Sequence, residues 1–260
     1  MSGYDSIHAG WYDLLYAERP YRAEVDFVLR QIRALAPAAT PRLAEIACGT
    51  GTHAFLFEEA GCAVTGLDVS VGMLAEARRK AAAQGSRVTF AEQDMRALDL
   101  PAGHFHAAVS FFDSIGYAVT TAGVLQTLRG LHRALQPGGV LVLEFWHGPA
   151  MLRGFDPLRV RALPTPHGEL LRISRTAIDA VRSTATVDYT LLELRDDQTY
   201  LRTTERHENR FFSLAEMDVL LRTAGFQPVR WQDGFDEAAP VTGATWHVVV
   251  VAQREPGIVP

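Results

Sequence analysis

The sequence predicts an α/β fold, a doubly wound and mostly parallel sheet that carries an antiparallel β insertion. Short apolar runs alternate with amphipathic helical segments between residues 43 and 145, which is the pattern of a sheet whose strands are connected by helices. The alternation stops near residue 150, and long extended segments follow up to residue 212. With 260 residues, 48% hydrophobic and 21% charged, the chain can bury a substantial core.

The elements of the first half follow from the spacing of their apolar residues. The predicted strands are 43–47, 63–67, 87–91, 105–111 and 139–145. Apolar residues that recur every three or four positions predict helices near 24–35, 53–60, 70–84 and 121–135. The segment LQPGG (135–139) contains the proline and glycines that end the last of these helices.

The second half departs from this alternation. Extended segments are predicted at 169–178, 183–195 and 199–212, with a hairpin turn at DDQ between the last two. A helix then begins at Ser213, which forms a capping box with Glu216, and two final strands lie in 226–231 and 245–254. We therefore expect an N-terminal lid and helix over 1–35, a main α/β domain over 36–148 and 213–252, and an insertion over 149–212 that binds substrate or forms an oligomer contact.

Composition excludes several classes of function. The net charge is −5 and there is no Lys/Arg tract, which argues against a nucleic-acid partner. No apolar run approaches the roughly 18 residues that span a bilayer. The first 21 residues lack the basic and apolar regions of a signal peptide, so a cytoplasmic protein is expected. Cys48 and Cys62 are the only cysteines, and the histidine spacing matches no metal motif, so no metal site is expected.

Acidic residues follow three consecutive strands, and the first of these strands leads into a glycine turn. Glu45, Asp68 and Asp94 occupy these strand ends, where the ligands of a doubly wound sheet bind. The turn Gly49-x-Gly51-x-x-Ala54 has a spacing that also suits a dinucleotide. A pyrophosphate is usually held with the help of positive charge, but residues 43–60 contain no Lys or Arg. An NAD-dependent dehydrogenase is therefore the less favoured alternative.

Four segments resemble the class I S-adenosylmethionine-dependent methyltransferases in order and spacing. They are EIACGTGT, VTGLDVSVGML, VTFAEQDMRAL and LHRALQPGGVLVLEF, within a match that covers about residues 20–146 and 213–252. The resemblance implies a Rossmann-like domain with a seven-stranded sheet whose last strand is antiparallel. It also implies S-adenosyl-L-methionine as cofactor and a small-molecule acceptor as partner. A non-catalytic subunit that binds the cofactor is the alternative from another class.

The chemistry of the cofactor agrees with the residues that the resemblance places around it. Glu45 suits the ammonium group, Asp68 the two ribose hydroxyls, and Asp94 the adenine amino group. Ala47 stands where a glycine is commoner, an exchange that costs little if this residue has a negative φ. The full set of expected cofactor contacts is Tyr12, Tyr21, Arg22, Glu45, Ala47, Gly49, Gly51, Asp68, Val69, Met73, Asp94, Met95 and Phe111.

Further segments are similar to a subgroup that dimethylates the amino group of nucleotide-linked amino-deoxysugars. These are WYDLLYAERPYRAE near the N-terminus, SIG (114–116), the E-x-W run at 144–146 and TERHE (204–208). The similarity implies secondary metabolism and an amine acceptor. Tyr117 departs from the subgroup, which carries a histidine there, so an O-methyltransferase acting on a hydroxylated small molecule is the alternative.

Three residues are predicted to take part in catalysis. His207 is the candidate general base, because the resemblance places its HE pair on an insertion strand that faces the cleft. Tyr117 is expected to orient the nucleophile, and Tyr12 to close over the cofactor with its ring near the sulfonium cation. Ordinary packing is the alternative role for each of them. A homodimer is a further expectation, and the sequence does not distinguish one methyl transfer from two.

Overall fold

The computed structural model describes residues 6–255, so residues 1–5 of the predicted lid lie outside the described part of the chain. Its strands are β1 (Arg42–Ile46), β2 (Ala63–Asp68), β3 (Thr89–Glu92), β4 (Phe105–Ser110), β5 (Leu135–Trp146), β6 (Leu158–Thr165), β7 (Gly168–Asp179), β8 (Thr184–Arg195), β9 (Tyr200–Arg210), β10 (Phe226–Asp233) and β11 (His247–Arg254). Its α-helices are α1 (Ser6–Leu15), α2 (Tyr21–Leu35), α3 (Thr52–Glu59), α4 (Val71–Gln84), α5 (Thr121–Ala134), α6 (Gly148–Gly154) and α7 (Leu214–Thr223).

The strands form two sheets, and the predicted fold class is confirmed. The main sheet has seven strands in the order β10-β11-β5-β4-β1-β2-β3. β1 pairs in parallel with β2 and β4, whereas β11 is antiparallel to both β5 and β10. The second sheet is the insertion, an antiparallel meander in the order β6-β7-β8-β9.

Helices cover both faces of the main sheet because its central strands are apolar on both sides. Leu141 and Leu143 of β5 pack on the face that holds α5 and α7. Val140 and Val142 of the same strand pack on the opposite face, with α2 and α3. Successive side chains of a strand point to opposite faces, so a continuous apolar run predicts a strand that is buried on both.

The start of β5 and the presence of β6 and α6 differ from the sequence predictions. β5 begins at Leu135 and includes the LQPGG segment, because the register between β4 and β5 shifts between Phe105 and Ala107 and the extra residues are accommodated there. β6 was not predicted. Apolar and charged residues alternate only over its first four positions, Pro164 lies near its end, and it is a largely exposed edge strand.

The insertion lies against the lid helix and next to the carboxyl ends of the main strands. Leu15 of α1 packs with Leu170 of β7 and Leu191 of β8. Beyond β9, Phe212 pairs with His147, which follows β5. The insertion therefore stands at the edge of the main sheet where the candidate ligand-binding residues lie. None of the described helices is long and apolar enough to cross a membrane.

Candidate active site

The turn after β1 has three residues in the left-handed region. Gly49 has φ +55° and Gly51 has φ +81°, a conformation that glycine adopts at little cost. A Cβ on Gly51 would also lie 2.8 Å from the ring of Phe90. Ala47 has φ +56°, so the condition under which alanine would cost little here, a negative φ, is not met. This alanine is strained where a glycine would not be.

Glu45 and Asp68 lie side by side at the ends of β1 and β2. Glu45 is opposite Gly66 in the parallel register and is 3% exposed. Its Oε2 is buried without a hydrogen-bond partner in the described part of the chain. Burial, and then the charge of Asp68, raise the pKa of Glu45 to about 8. Asp68 is held by two backbone N–H groups, Gly49 to Oδ2 and Ser70 to Oδ1, each at 2.8 Å.

Three predicted cofactor contacts, Asp94, Met73 and Val69, differ in how accessible they are. Asp94 caps the 3₁₀ helix Met95–Ala97 and forms a bidentate ion pair with Arg96, which lowers the pKa of Asp94. The Met73 side chain is 1% exposed, whereas Val69 is 47% exposed. Asp94 is thus already paired and Met73 is buried in the core, and the cofactor contacts of this group stay predictions.

Tyr12 and Tyr21 meet at the ring of Phe112. Each of the two ring centroids lies 6.2 Å from that of Phe112, and Tyr16 adds an edge-on contact at 5.1 Å. The Tyr12 ring also covers the glycine turn, because its Cε1 would be 3.9 Å from a Cβ on Gly49. Burial raises the pKa of Tyr12 well above its ordinary value, so this phenol stays protonated at neutral pH.

We call the rings of Tyr12, Tyr16, Tyr21 and Phe112 the aromatic lid. Arg19, which precedes α2, connects this lid to the main sheet. Its guanidinium lies 3.6 Å from the Phe112 ring centroid and forms ion pairs with Glu144 at 2.6 Å and Glu24 at 2.8 Å. Glu144 also accepts the Phe112 N–H at 2.8 Å, and His247 Nδ1 lies 2.9 Å from its other oxygen. Burial raises the pKa of Glu144, but His247 and Arg19 outweigh it and hold that pKa at about 2.

Two predicted cofactor contacts lie apart from this group. Arg22 is half exposed and pairs with Glu59 at 2.7 Å. Phe111 is 3% exposed and packs on His53 at 4.7 Å within the core. Next to the Tyr12 and Tyr21 rings the structure places Arg19 and Phe112 instead, while the cofactor contacts of Arg22 and Phe111 stay predictions. Sequence reasoning missed Arg19 and Phe112.

Three polar side chains form a continuous hydrogen-bonded chain beside the lid, which we call the relay. The Tyr117 hydroxyl lies 2.7 Å from His207 Nδ1, and His207 Nε2 lies 3.0 Å from Glu205 Oε2. Glu205 and His207 are two residues apart on β9 and share one face. Glu208, the other member of the HE pair, pairs with Arg182 at 2.9 Å and does not take part in the relay.

Comparison with known proteins places this geometry in a family. A family model described as a methyltransferase domain matches residues 43–139. The dTDP-4-amino-2,3,4,6-tetradeoxy-D-glucose N,N-dimethyltransferase of Saccharopolyspora spinosa is 31% identical over 197 residues, which cover 74% of this chain and 75% of that protein. The chain belongs to the class I S-adenosylmethionine-dependent methyltransferases.

Two further relatives of this protein are also methyltransferases. The dTDP-3-amino-3,4,6-trideoxy-α-D-glucopyranose N,N-dimethyltransferase of Streptomyces venezuelae is 37% identical over 149 residues, 56% of this chain and 60% of that one. A solved structure of CalS10, an amino pentose methyltransferase from Micromonospora echinaspora with S-adenosylmethionine bound, superposes with a TM-score of 0.75. It is 25% identical, and the match covers 96% of this chain and 97% of that one.

The residues of the methyltransferase fit its cofactor, S-adenosylmethionine. The unpartnered Glu45 Oε2 can accept from an ammonium group, and each Asp68 oxygen keeps a lone pair for a ribose hydroxyl after its backbone bond. The glycine turn lets backbone approach the ligand without an intervening Cβ. The cofactor supplies a methyl group on a sulfonium sulfur, which makes that methyl carbon electrophilic. The dinucleotide alternative is set aside.

The hydrogen bonds of the relay have a defined direction. Because a carboxylate only accepts, Glu205 fixes the hydrogen of His207 on Nε2 and leaves Nδ1 as the acceptor for the Tyr117 hydroxyl. His147 stays outside the relay, since its Nδ1 lies 3.2 Å from the Thr245 carbonyl. The described residues contain no cluster of three side chains that could hold a metal ion.

Proposed function

We propose that this methyltransferase methylates the amino nitrogen of a small-molecule acceptor, with a nucleotide-linked amino-sugar as the first candidate. The relay of Tyr117, His207 and Glu205 supplies the base that methyl transfer to either an amine or a hydroxyl would use, and the names of the relatives favour the amine. The names of the relatives support it, since two of them are N,N-dimethyltransferases of dTDP-linked amino-sugars.

The relay suits an amine because a nitrogen needs a free lone pair to attack and must finally lose a proton. The Tyr117 oxygen accepts a hydrogen bond from the amine N–H. As that proton moves to the phenol oxygen, the phenol hydrogen moves to His207 Nδ1, and the positive charge that forms on the imidazole is stabilised by Glu205. Such general base catalysis contributes about 10²- to 10⁴-fold to a rate.

The insertion supplies the acceptor side of the site. The Tyr189 ring packs edge-on to His207 at 5.2 Å. Next to it, the Arg172 guanidinium lies 5.5 Å from the Tyr16 ring and 5.6 Å from the Tyr189 ring, and its buried Nε has no hydrogen-bond partner in the described region. A guanidinium with a spare donor recognises phosphate oxygens, which suits a nucleotide-linked acceptor. We assign residues 149–212 to acceptor binding on this basis.

O-methylation of a hydroxylated small molecule is the second candidate. An alcohol or phenol is a poor nucleophile until its proton is removed, so it depends on a base more than a neutral amine does. The histidine–carboxylate pair of the relay would meet that need. The relay therefore supports both candidates, and the names of the relatives favour the amine.

The test is a methyl-transfer assay with the purified protein and S-adenosylmethionine. dTDP-3-amino-3,4,6-trideoxy-α-D-glucopyranose, dTDP-4-amino-2,3,4,6-tetradeoxy-D-glucose and dTDP-glucose serve as acceptors, and products are followed by mass spectrometry. We expect mass gains of one or two methyl groups on the amino-sugars and none on dTDP-glucose. Methylation of the hydroxylated sugar alone would refute the amine proposal.

Matched variants separate the relay from its surroundings. His207→Ala is expected to lower turnover with little change in cofactor affinity. Arg206→Gln changes the adjacent residue, which lies on the other face of β9 in an exposed ion pair with Asp188, and should leave turnover intact. A normal rate for His207→Ala across pH 6–9 would reduce His207 to a structural residue.

A further inference from the structure

The turn that carries Tyr117 is held in an unfavourable backbone conformation. Phe112, Asp113 and Val119 have φ angles of +56°, +58° and +53°. Non-glycine residues rarely adopt this region, and they remain in it only where the surrounding structure determines the conformation. The turn between β4 and α5 must therefore be held by specific contacts.

Two buried carboxylates supply those contacts. Glu144 accepts the Phe112 N–H at 2.8 Å. Asp113, which is 0% exposed, accepts the Trp146 N–H through Oδ1 at 2.8 Å and the Asn209 side-chain amide through Oδ2 at 3.1 Å. Asp113 thus links the turn after β4 to the end of β5 and to β9 of the insertion.

The Asp113–Asn209 bond runs beside the relay and joins the same two segments. Asn209 lies two residues after His207, on the same face of β9. Asp113 lies four residues before Tyr117, at the start of the 3₁₀ helix Ser114–Ala118. Gly116 lies between the Asp113–Asn209 bond and the Tyr117–His207 bond. A Cβ on Gly116 would lie 2.7 Å from a backbone oxygen of β9 and 2.7 Å from Asp113 Oδ2. The turn and the strand are therefore in backbone contact, and small shifts of one move the other.

We propose that Asp113 and Asn209 are positioning residues, a buried clamp that keeps the Tyr117 hydroxyl within hydrogen-bonding distance of His207 Nδ1. The clamp rests on the proposed function of the relay. Neither residue is given a proton-transfer step, because Asp113 accepts from the Trp146 N–H and from Asn209, and the amide of Asn209 does not titrate. Loss of the clamp frees the strained turn to relax, and the hydroxyl then moves away from the imidazole.

The clamp can be tested without an acceptor by measuring the ¹⁵N shifts of the His207 imidazole, assigned by comparison with His207→Gln. Asn209→Leu removes the amide at similar volume and should move the Nδ1 shift toward the value found in Tyr117→Phe. The exchanged pair Asp113→Asn/Asn209→Asp recreates one donor and one acceptor and should restore the wild-type shift. Asn209→Ser replaces Asn209→Leu if the latter does not fold.

Gln232→Leu is the matched control. Gln232 is a buried amide, 2% exposed, in β10 at the far edge of the main sheet, and it donates to the Gly234 carbonyl at 3.2 Å. Its loss should lower the melting temperature while the His207 nitrogen shifts stay in place. This control separates general destabilisation from loss of the clamp.

Kinetics give the second readout, with an acceptor that the protein methylates. Asn209→Leu should lower kcat by about tenfold or more, with KM for S-adenosylmethionine unchanged within about twofold. In the Tyr117→Phe background the same substitution should cost less than about threefold, because the bond that it positions is already gone.

The outcomes separate the clamp from the relay. Unchanged His207 shifts in Asn209→Leu, or equal losses of kcat in both backgrounds, would overturn the clamp while the relay stands. Full turnover by Tyr117→Phe would refute the relay, and the catalytic purpose of the clamp with it.

Discussion

Replacing Glu45 with glutamine should change the stability and the cofactor affinity of the methyltransferase in opposite directions. The side chain is 3% exposed, its Oε2 has no partner among the described residues, and its pKa is raised to about 8 by burial and by Asp68. Glutamine keeps the shape and removes the charge. The charged carboxylate therefore lowers the stability of the free protein and raises its affinity for the cofactor.

The stability effect follows from the direction of the pKa shift. The carboxyl has an ordinary pKa of 4.5 and a folded-state pKa of about 8. An acid whose pKa is raised by folding destabilises the fold as pH rises between those two values. At pH 7 the difference amounts to about 3 kcal/mol, taking about 1.4 kcal/mol per pKa unit. Glu45→Gln should raise the free energy of unfolding by up to this amount at pH 7 and by little near pH 4.5.

The affinity effect has the opposite sign. An ammonium ligand needs the ionised carboxylate, so binding below pH 8 must release a proton from Glu45. Each pH unit below 8 therefore weakens binding by about tenfold. The amino group of the ligand loses its own proton near pH 8, as α-amino groups do at about 7.7–8.0, so pH 6 to 7.5 is the useful window. Near pH 7.5 Glu45→Gln should lose about 1.5–3 kcal/mol of binding.

Isothermal titration calorimetry from pH 6 to 7.5, in buffers of different ionisation enthalpy, measures both the dissociation constant and the released proton. We expect wild-type affinity for S-adenosylmethionine to rise about tenfold per pH unit and Glu45→Gln affinity to stay level. Methylthioadenosine lacks the amino-acid end and should show no pH slope. Glu76→Gln changes an acid paired with Arg79 on α4 and is the control variant. A wild-type dissociation constant that is independent of pH, with no proton released, would refute the reasoning.

Three further changes are expected to have measurable effects. Ala47→Gly should raise the free energy of unfolding by about 1 kcal/mol in urea denaturation, because φ is +56° there; a loss of stability would contradict this. Asp68→Asn should weaken binding of both S-adenosylmethionine and methylthioadenosine by about 1–3 kcal/mol, and equal affinities in calorimetry would remove the ribose assignment. Gly116→Ala should cost about 1–3 kcal/mol of stability and lower turnover, because its Cβ would meet Asp113 Oδ2 at 2.7 Å. Gly10→Ala, which meets nothing within 4 Å, is its control in thermal denaturation and should be tolerated.

The fold could be predicted because its signals are local. Buried strands read as continuous apolar runs, helices as a repeat of three to four residues, and breakers mark the joints. Ser213 is an example of such a local signal. It was predicted to cap a helix, and its hydroxyl accepts the Glu216 N–H at 3.1 Å. Where the register between strands set the outcome, as at the start of β5, the boundary was missed.

The candidate site was predicted less completely because its chemistry comes from contacts between distant segments. Arg19 meets Glu144 across 125 residues and Tyr117 meets His207 across 90, and no local pattern encodes either pair. Glu205 is different. It lies two positions before His207, so the period of a strand would have been enough to place both on one face, although the sequence analysis did not use it. Glu208, next to His207, falls on the other face by the same rule.

Glu144 is a buried charge that contacts both halves of the site, the aromatic lid and the turn that carries Tyr117. It takes the guanidinium of Arg19 from the lid and the N–H of Phe112 from the strained turn, and it lies beside His247 of β11. A buried carboxylate that loses a partner destabilises a protein by about 3–5 kcal/mol. The lid over the cofactor turn and the turn that carries Tyr117 are therefore favoured only together, because an Arg19 that swings out leaves Glu144 undercompensated and removes the cation packed on Phe112. The aromatic lid and the turn that carries Tyr117 thus share one ion pair, that of Arg19 and Glu144.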